Sequence, residues 1–248
     1  MKLIVINSNS SGNSYALDAG GEILLLEAGC KMAEVKRHID YRLSDVVGCC
    51  LSHRHGDHAK YATEYARFGV QVFCNQNVAD HKQFPYGRCR ILQAGDTASA
   101  GGFRFTPVTL YHDVPNFGYL IFHADMGTLF FASDTYKMDF DLVNVDHWLI
   151  EANYDDRILR ANIEDGRIDR AQANRLMLSH MSLDNTVRYL KSCFSAGQGS
   201  ALAKTITLCH LSERNSDPDL FRQTIAGAFG IPTYVARKGL TVELNKKL

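Results

Sequence analysis

Along the first half of the chain, short apolar runs rich in β-branched and aromatic residues alternate with polar, glycine-containing breaks. Such runs read as strands, and the pattern predicts them at residues 3–6, 23–26, 46–51, 70–73, 103–110, 119–122 and 129–131. Asp125-Met126-Gly127, between the last two, has the composition of a hairpin turn. Apolar positions at helical spacing predict helices at 32–39, 58–68, 185–194 and 218–228, the last opened by a proline suited to the first helical position. Further strands are expected at 148–151, 206–209 and 240–244. There is no repeat, low-complexity tract or linker-like stretch, so the pattern predicts one α+β domain over residues 1–248, two sheets sandwiched between helices.

Composition narrows the class. Hydrophobic residues make up 46% of the chain and charged residues 22%, the balance of a globular rather than a disordered protein. No apolar run approaches the roughly 20 residues of a membrane helix, and the opening MKLIVINSNS lacks the apolar stretch of a secretory signal. A cytoplasmic location without membrane contact is therefore expected. The 7 cysteines form no CxxC pair, which favours buried reduced thiols over a disulfide framework or thiolate zinc site. Basic and acidic residues balance at 27 each, with a pI near 7.1, so no global field recruits nucleic acid and any polyanion must be held locally.

The segment that carries chemistry is Leu51-Ser52-His53-Arg54-His55-Gly56-Asp57-His58, between an apolar run and a predicted helix. In a tight strand-to-helix loop, His53 and His55 can point to one side while Asp57 and His58 reach a second position. Imidazole with carboxylate is the ligand mix of zinc, iron or manganese. Three further candidates, His112, Asp134 and His210, each directly follow an apolar run, which would bring them to one edge of the sandwich. One ion held by His53, His55 and His112 and a second by Asp57, His58 and His210, with Asp134 between them, uses every candidate. His38, His81, His123 and His147 lack this context and read as surface or core residues.

HxHxDH followed in order by an isolated His, an Asp and a final His resembles the metallo-β-lactamase superfamily, over the span His53 to His210. The resemblance implies a four-layer αββα sandwich, two mixed sheets flanked by helices, with the metals at its edge and Asp134 bridging them. Narrower motifs, SNSSGNS at 8–14, EANYD at 151–155, SHMS at 179–182 and HLS at 210–212, are similar to the YycJ/WalJ-like branch, associated with 5′-to-3′ exonuclease activity. Glu151-Ala152 and His180 also resemble motifs of tRNase Z, where the Glu and His act together in proton delivery. Two positions depart from the pattern: Glu27 stands where the fold usually has Asp, and Ser179 where a Gly normally precedes the His.

Spacing limits what surrounds the site. Only 22 positions separate His112 from Asp134, too few for the tRNA-gripping arm of tRNase Z, and 76 separate Asp134 from His210, too few for a β-CASP domain. Arg157, Arg160, Arg167, Arg170 and Arg175 lie between Glu151 and His180, but interspersed acidic residues favour a solvated helical surface over a phosphate track. The 8–14 segment reads either as a simple turn or as a loop whose amides approach a phosphate.

The expected function is a metal-dependent phosphodiesterase, a DNA 5′-3′ exonuclease, using two divalent ions, zinc or manganese with iron compatible, and water as nucleophile. Asp57, His180 and Glu151 are the expected catalytic residues, His180 as general acid positioned by Glu151. Ser11, Asn13, Asn153 and Ser182 are the candidates for substrate contact. The alternative is a cyclic-nucleotide phosphodiesterase, which suits the neutral pI and bare domain. A flavodiiron-type oxidoreductase would want Glu at position 55, a β-lactamase an export signal, and no GxSxG elbow or P-loop is present.

Overall fold

Residues 1–197 and 203–245 are described by the computed structural model. Strands β1 (Lys2–Asn9) and β2 (Gly12–Asp18) form an antiparallel hairpin, and β3 (Ile23–Leu26) pairs antiparallel with β2. After α1 (Met32–His38) and a 3-10 turn at Leu43–Asp45, β4 (Val46–Cys50) joins β3 in parallel. Two short helices, α2 (Gly56–Ala59) and α3 (Ala62–Arg67), lead to β5 (Val72–Cys74), and α4 (Gln76–His81) leads to β6 (Cys89–Ile91), both strands again parallel.

The second sheet begins as an antiparallel meander of β7 (Ala98–Ala100), β8 (Phe103–Leu110), β9 (Asn116–His123) and β10 (Gly127–Ala132). It continues in parallel with β11 (His147–Glu151). Helices α5 (Asp156–Glu164), α6 (Arg170–Ser179) and α7 (Leu183–Ala196) precede β12 (Thr205–Cys209), and α8 (Pro218–Phe229) precedes β13 (Thr233–Val235). The final strand β14 (Thr241–Glu243) returns to the first sheet beside β1. Two mixed 7-stranded sheets result, ordered β14-β1-β2-β3-β4-β5-β6 and β13-β12-β11-β10-β9-β8-β7.

Alternation along the strands explains the layers. In β1, Leu3 and Val5 face the core between the sheets with Tyr15, Phe103, Phe105, Tyr119 and Phe131, while Ile4 and Ile6 face outward onto Met32, Val35 and Tyr65 of α1 and α3. Successive strand side chains point to opposite faces, and because both faces are covered the strand reads as a continuous apolar run. On the other side Trp148, Ile150, Ile206 and Leu208 pack against Leu190 of α7 and Phe221 and Ile225 of α8. Helices, two sheets and helices make the expected αββα sandwich. Among the described residues, no helix is long and apolar enough to cross a membrane.

Local differences from the expected pattern have physical causes. The helix anticipated at 58–68 is broken, because the Tyr61 amide donates to the Ala28 carbonyl (2.9 Å), outside the helix, and the chain restarts as α3. The 8–14 segment is a tight hairpin rather than a loop: Asn9 pairs with Gly12, and all of β2 is buried. The turn at 125–127 forms as expected, with Gly127 at φ 86°.

Candidate metal centre

Parallel strands present their carboxyl ends on a common edge, where loops gather functional side chains. Here β3, β4, β10, β11 and β12 end together. Glu27 follows β3, His53 follows β4, Asp134 follows β10, Glu151 ends β11 and His210 follows β12. Glu27, Asp134 and His210 have φ of 64°, 54° and 54°, a left-handed backbone that non-glycine residues rarely adopt. Such conformations cost of order 1–3 kcal/mol each and persist where the surroundings enforce them. Their coincidence at one edge marks it as a built site.

The HRHGDH segment divides as its local structure dictates. His53 and His55 lie in the extended connection after β4, with His55 opening α2, and Asp57 and His58 sit on the single turn of that helix. Gly29 is required here, because a Cβ would collide with the Asp57 carbonyl, and Gly12 lies against Gly29 in turn. The β1–β2 hairpin is thereby pressed against the α2 turn.

Two groups of side chains converge, each with its ligand atoms all within 4.8 Å of one another: His53, His55, His112 and Asp134, and Asp57, His58, Asp134 and His210. Asp134 belongs to both. In the first group His55 Nδ1 lies 3.2 Å from His112 Nε2, and Asp134 Oδ2 lies 3.8 Å from both His53 Nε2 and His112 Nε2. In the second, Asp57 Oδ2 is 3.3 Å from both His58 Nε2 and His210 Nε2, and Asp134 Oδ1 is 3.2 Å from His58 Nε2. Every metal-ligand candidate named from the sequence is in these two groups.

The residues fit a cation. Four ligands bonded at about 2.1 Å to a tetrahedral ion lie about 3.4 Å apart, close to these separations. His53 Nε2 is buried without a hydrogen-bond partner and faces the first group, an arrangement costly to leave unpaired. Nitrogen and carboxylate oxygen donors suit zinc, manganese or iron. Without an ion, burial drives the His53 imidazole well below its ordinary pKa and lowers His112 as well. Burial opposes charge on His58 too, but the Asp134 and Glu27 carboxylates outweigh it and raise that imidazole. His210 is pushed up to about 10 against burial by Asp134 and Asp57. Asp134 is held well below the carboxylate range, again against burial, by His210 and His58.

A surrounding layer fixes these candidate ligands, the arrangement usual around metals. The buried Glu27 carboxylate lies 3.6 Å from His58 Nδ1. Ser52 Oγ contacts His53 Nδ1 at 2.9 Å, and His112 Nδ1 lies 3.1 Å from the Ser179 carbonyl that ends α6. Asn116 donates to the Asp134 carbonyl (2.6 Å), and Asn75 ties the Ser52 and Pro115 carbonyls together (3.0 Å each). Asn75, Asn116 and the half-exposed Asp113, 3.1 Å from His112 Nε2, escaped the sequence analysis. Asp113 follows a ligand candidate directly and was open to notice. The two asparagines act across distant elements, which spacing does not reveal.

Glu151, fully buried, forms a third group with Asp134, His180 and His210. Its Oε1 lies 2.6 Å from His180 Nδ1 and 3.2 Å from His210 Nδ1. Glu151 is lowered despite burial by the His180 charge, and His180 is raised despite burial by Glu151. A cleft of about 610 Å³ opens over the site, lined by Asp57, Asp134, His180 and His210, by Ser10 at the hairpin tip, and by Arg175 on α6.

The four substrate-contact candidates are engaged otherwise. Ser11 is exposed and bonds Asn9 within the hairpin (2.6 Å). Asn13 is buried with Nδ2 3.1 Å from His58 Nε2, and Asn153 donates to the His210 carbonyl (2.7 Å). Ser182 caps α7 by accepting from the Asn185 amide (3.2 Å). Of the arginines, Arg157 and Arg167 pair with Asp155 and Asp165, while Arg175 reaches the cleft.

No family model matches the chain. It is 25% identical over 239 residues to the exodeoxyribonuclease WalJ of Streptococcus pneumoniae, covering 90% of this chain and 86% of the relative. To the exodeoxyribonuclease YycJ of Bacillus anthracis it is 24% identical over 222 residues, 75% of this chain and 84% of that one. The metallo-β-lactamase fold protein YhfI of Bacillus subtilis superposes with a TM-score of 0.74 at 17% identity, covering 98% of this chain and 99% of the other. The chain thus has the metallo-β-lactamase fold and resembles the WalJ and YycJ exodeoxyribonucleases along most of its length.

Proposed function

We propose that the protein is a metal-dependent phosphodiesterase, a DNA 5′-3′ exonuclease, with residues 1–248 acting as one catalytic domain in the cytoplasm. The observation that carries this reading is the His180–Glu151 pair set against two ligand groups that share Asp134. The likeness to WalJ and YycJ supports the nucleic-acid substrate, DNA rather than RNA.

His53, His55, His112 and Asp134 would hold one divalent ion, and Asp57, His58, His210 and Asp134 a second, zinc or manganese with iron compatible. Two ions held there would supply a water of lowered pKa and would neutralise charge that builds on phosphorus. Asp57, at the mouth of the cleft, orients the attacking water. Glu151 accepts a hydrogen bond from His180 Nδ1 and favours the protonated imidazole, so that its other nitrogen can give a proton to the departing oxygen. Arg175 stands on the cleft wall, where a guanidinium can take a non-bridging phosphate oxygen.

The test is incubation of the purified protein, with manganese or zinc, against 5′-labelled linear strands, closed circular DNA, RNA and cyclic nucleotides. Stepwise shortening of linear DNA with the circle spared is the expected result. Turnover of cyclic nucleotides alone would replace the exonuclease reading with the small-molecule one, and turnover of none would remove the phosphodiesterase assignment.

A further inference from the structure

A second hollow, of about 620 Å³, is lined in part by the β1 end of the β1–β2 hairpin. Its walls are the end of β1 (Asn7, Ser8, Asn9), the loop that follows His210, the first turns of α8, and the stretch from Tyr234 to Lys238. The two hollows are lined by adjoining stretches of chain. Ser8 Oγ accepts from the His210 amide at 3.0 Å, Leu211 and Ser212 run directly from His210 into the second hollow, and Ser10, one residue beyond Asn9, lines the first.

Among the described residues, two of the cations that line this hollow pair with no carboxylate. Lys238 is bound to Glu34 at 3.1 Å, but among the described residues the exposed Arg222 and Arg237 have no carboxylate within ion-pair distance. Glu213 and Asp219 also line the hollow, yet neither engages these guanidinium groups. Arg157 and Arg167, by contrast, are each neutralised by an adjacent aspartate. Tyr234, half-buried, supplies an aromatic surface in the same wall. The chain has a formal net charge of zero, so a polyanion has no long-range field to follow and depends on such local groups.

We propose that this hollow is a subsite for single-stranded nucleic acid, holding the sugar–phosphate backbone beyond the bond in the metal cleft. Arg222 and Arg237 take phosphates, and the Tyr234 ring meets a base, the combination of cationic groove and stacking surface that single-strand binders use. The volume lies in the range that accommodates a nucleotide-sized ligand and takes one strand, not a duplex. The proposal rests on the phosphodiesterase reading for its substrate class, but its binding test is independent of hydrolysis.

The test uses the full chain in chelator, so that nothing is cut, and a fluorescein-labelled oligothymidylate of about a dozen nucleotides. Anisotropy titrations compare the wild type with the double variant Arg222→Ala/Arg237→Ala and with the charge-reversed Arg222→Glu/Arg237→Glu. Both positions are exposed, so folding is not at stake. The alanine variant is expected to weaken binding roughly tenfold and to flatten the slope of log affinity against log salt by about 1.4, the value for two lost phosphate contacts on a single strand. The glutamate variant weakens it further. Hydrolysis of bis(p-nitrophenyl) phosphate by the metal-loaded variants stays within about twofold of wild type, because that substrate fits inside the metal cleft. Wild-type protein that does not bind the strand, or variants with unchanged affinity and salt slope, would overturn the proposal. If the wild type binds the strand through these arginines yet hydrolyses no diester, the subsite stands and the phosphodiesterase reading falls.

Discussion

Glu151 Oε1 accepts from His180 Nδ1 at 2.6 Å and lies 3.2 Å from His210 Nδ1, so one fully buried carboxylate joins the imidazole facing the cleft to a candidate ligand of the second group. The contact fixes which nitrogen of His180 points inward and raises the pKa of that imidazole. The rings of His180 and His210 stack at 5.2 Å, which holds the same orientation from a second side.

This geometry predicts that His180→Ala retains its metals and loses roughly a hundredfold to ten-thousandfold in rate on a nucleotide diester, the range for a general acid. On an ester with a p-nitrophenol leaving group the loss should be small, since that oxygen departs without a proton. Steady-state kinetics on the two substrates, with elemental analysis alongside, makes the comparison. Equal losses on both would make His180 a phosphate-positioning group, and loss of metal would make it a ligand.

Metal content is the second expectation. Two ligand groups meeting at Asp134 predict close to two transition-metal ions per chain after metal-supplemented purification, and Asp134→Ala should deplete both. Elemental analysis that finds a single ion in the wild type would contradict the shared-ligand arrangement.

Glu27 offers a subtler test, because it belongs to neither ligand group and lies 3.6 Å from Nδ1 of the candidate ligand His58. Glu27→Gln keeps the shape and removes the charge. Competition with a chromogenic chelator should show metal affinity lowered by about 10–100-fold, as is typical for such supporting carboxylates. Unchanged affinity would show that the carboxylate serves only packing.

Protons and metals compete for the same imidazoles. His210, raised from 6.5 to about 10, is charged in the metal-free protein at neutral pH, and the pKa of His58 is raised as well. For a group raised by folding, the stabilisation is complete below the unfolded value near 6.5 and disappears as pH climbs through the folded one. Metal-free protein should therefore lose stability between pH 6.5 and about 10, while bound metal replaces those protons and gains affinity over the same interval. Thermal melts with chelator and with metal should show the metal-induced rise in Tm growing with pH. A gap that does not change with pH would contradict the assignment.

What was legible in the sequence follows from which forces are local. Strands such as β3 and β8 and the ligand candidates at strand ends are visible because an apolar run and the polar residue that ends it adjoin in the chain. Strand β2 escaped: Gly12, Asn13 and Ser14 have turn-like composition, and only pairing with β1 and β3 on its two sides makes Gly12–Asp18 a buried strand. The three-residue strands β6, β7 and β13 are too short to show a period. Helices α4, α5 and α6 each begin at a side-chain cap, on Asn75, Asp155 and Asp169, a signal that was present in the sequence; α4 is short and α6 has only a weak apolar stripe, whereas α5 is amphipathic but polar in overall composition.

The site shows the same division. Adjacent residues announce His53, His55, Asp57 and His58, whereas Asn116, which holds the Asp134 carbonyl, and Asn75, which ties two loops, act between elements far apart in the chain. The basic stretch at 157–175 illustrates the reverse limit. Arg157 and Arg167 are indeed neutralised locally, but Arg175 reaches the cleft, and Arg222 and Arg237, unpaired among the described residues, lie in a region that carried no signal in the sequence.

The most direct test of the central claim is a side-by-side assay of the metal-loaded protein on bis(p-nitrophenyl) phosphate, a chromogenic β-lactam and a thioester, with Asp134→Ala as control. Diester hydrolysis that greatly exceeds the other two, and that is abolished by chelator and by Asp134→Ala, is the predicted result. Faster turnover of the lactam or the thioester, or diester hydrolysis that survives both treatments, would contradict a metal-dependent phosphodiesterase built on these residues.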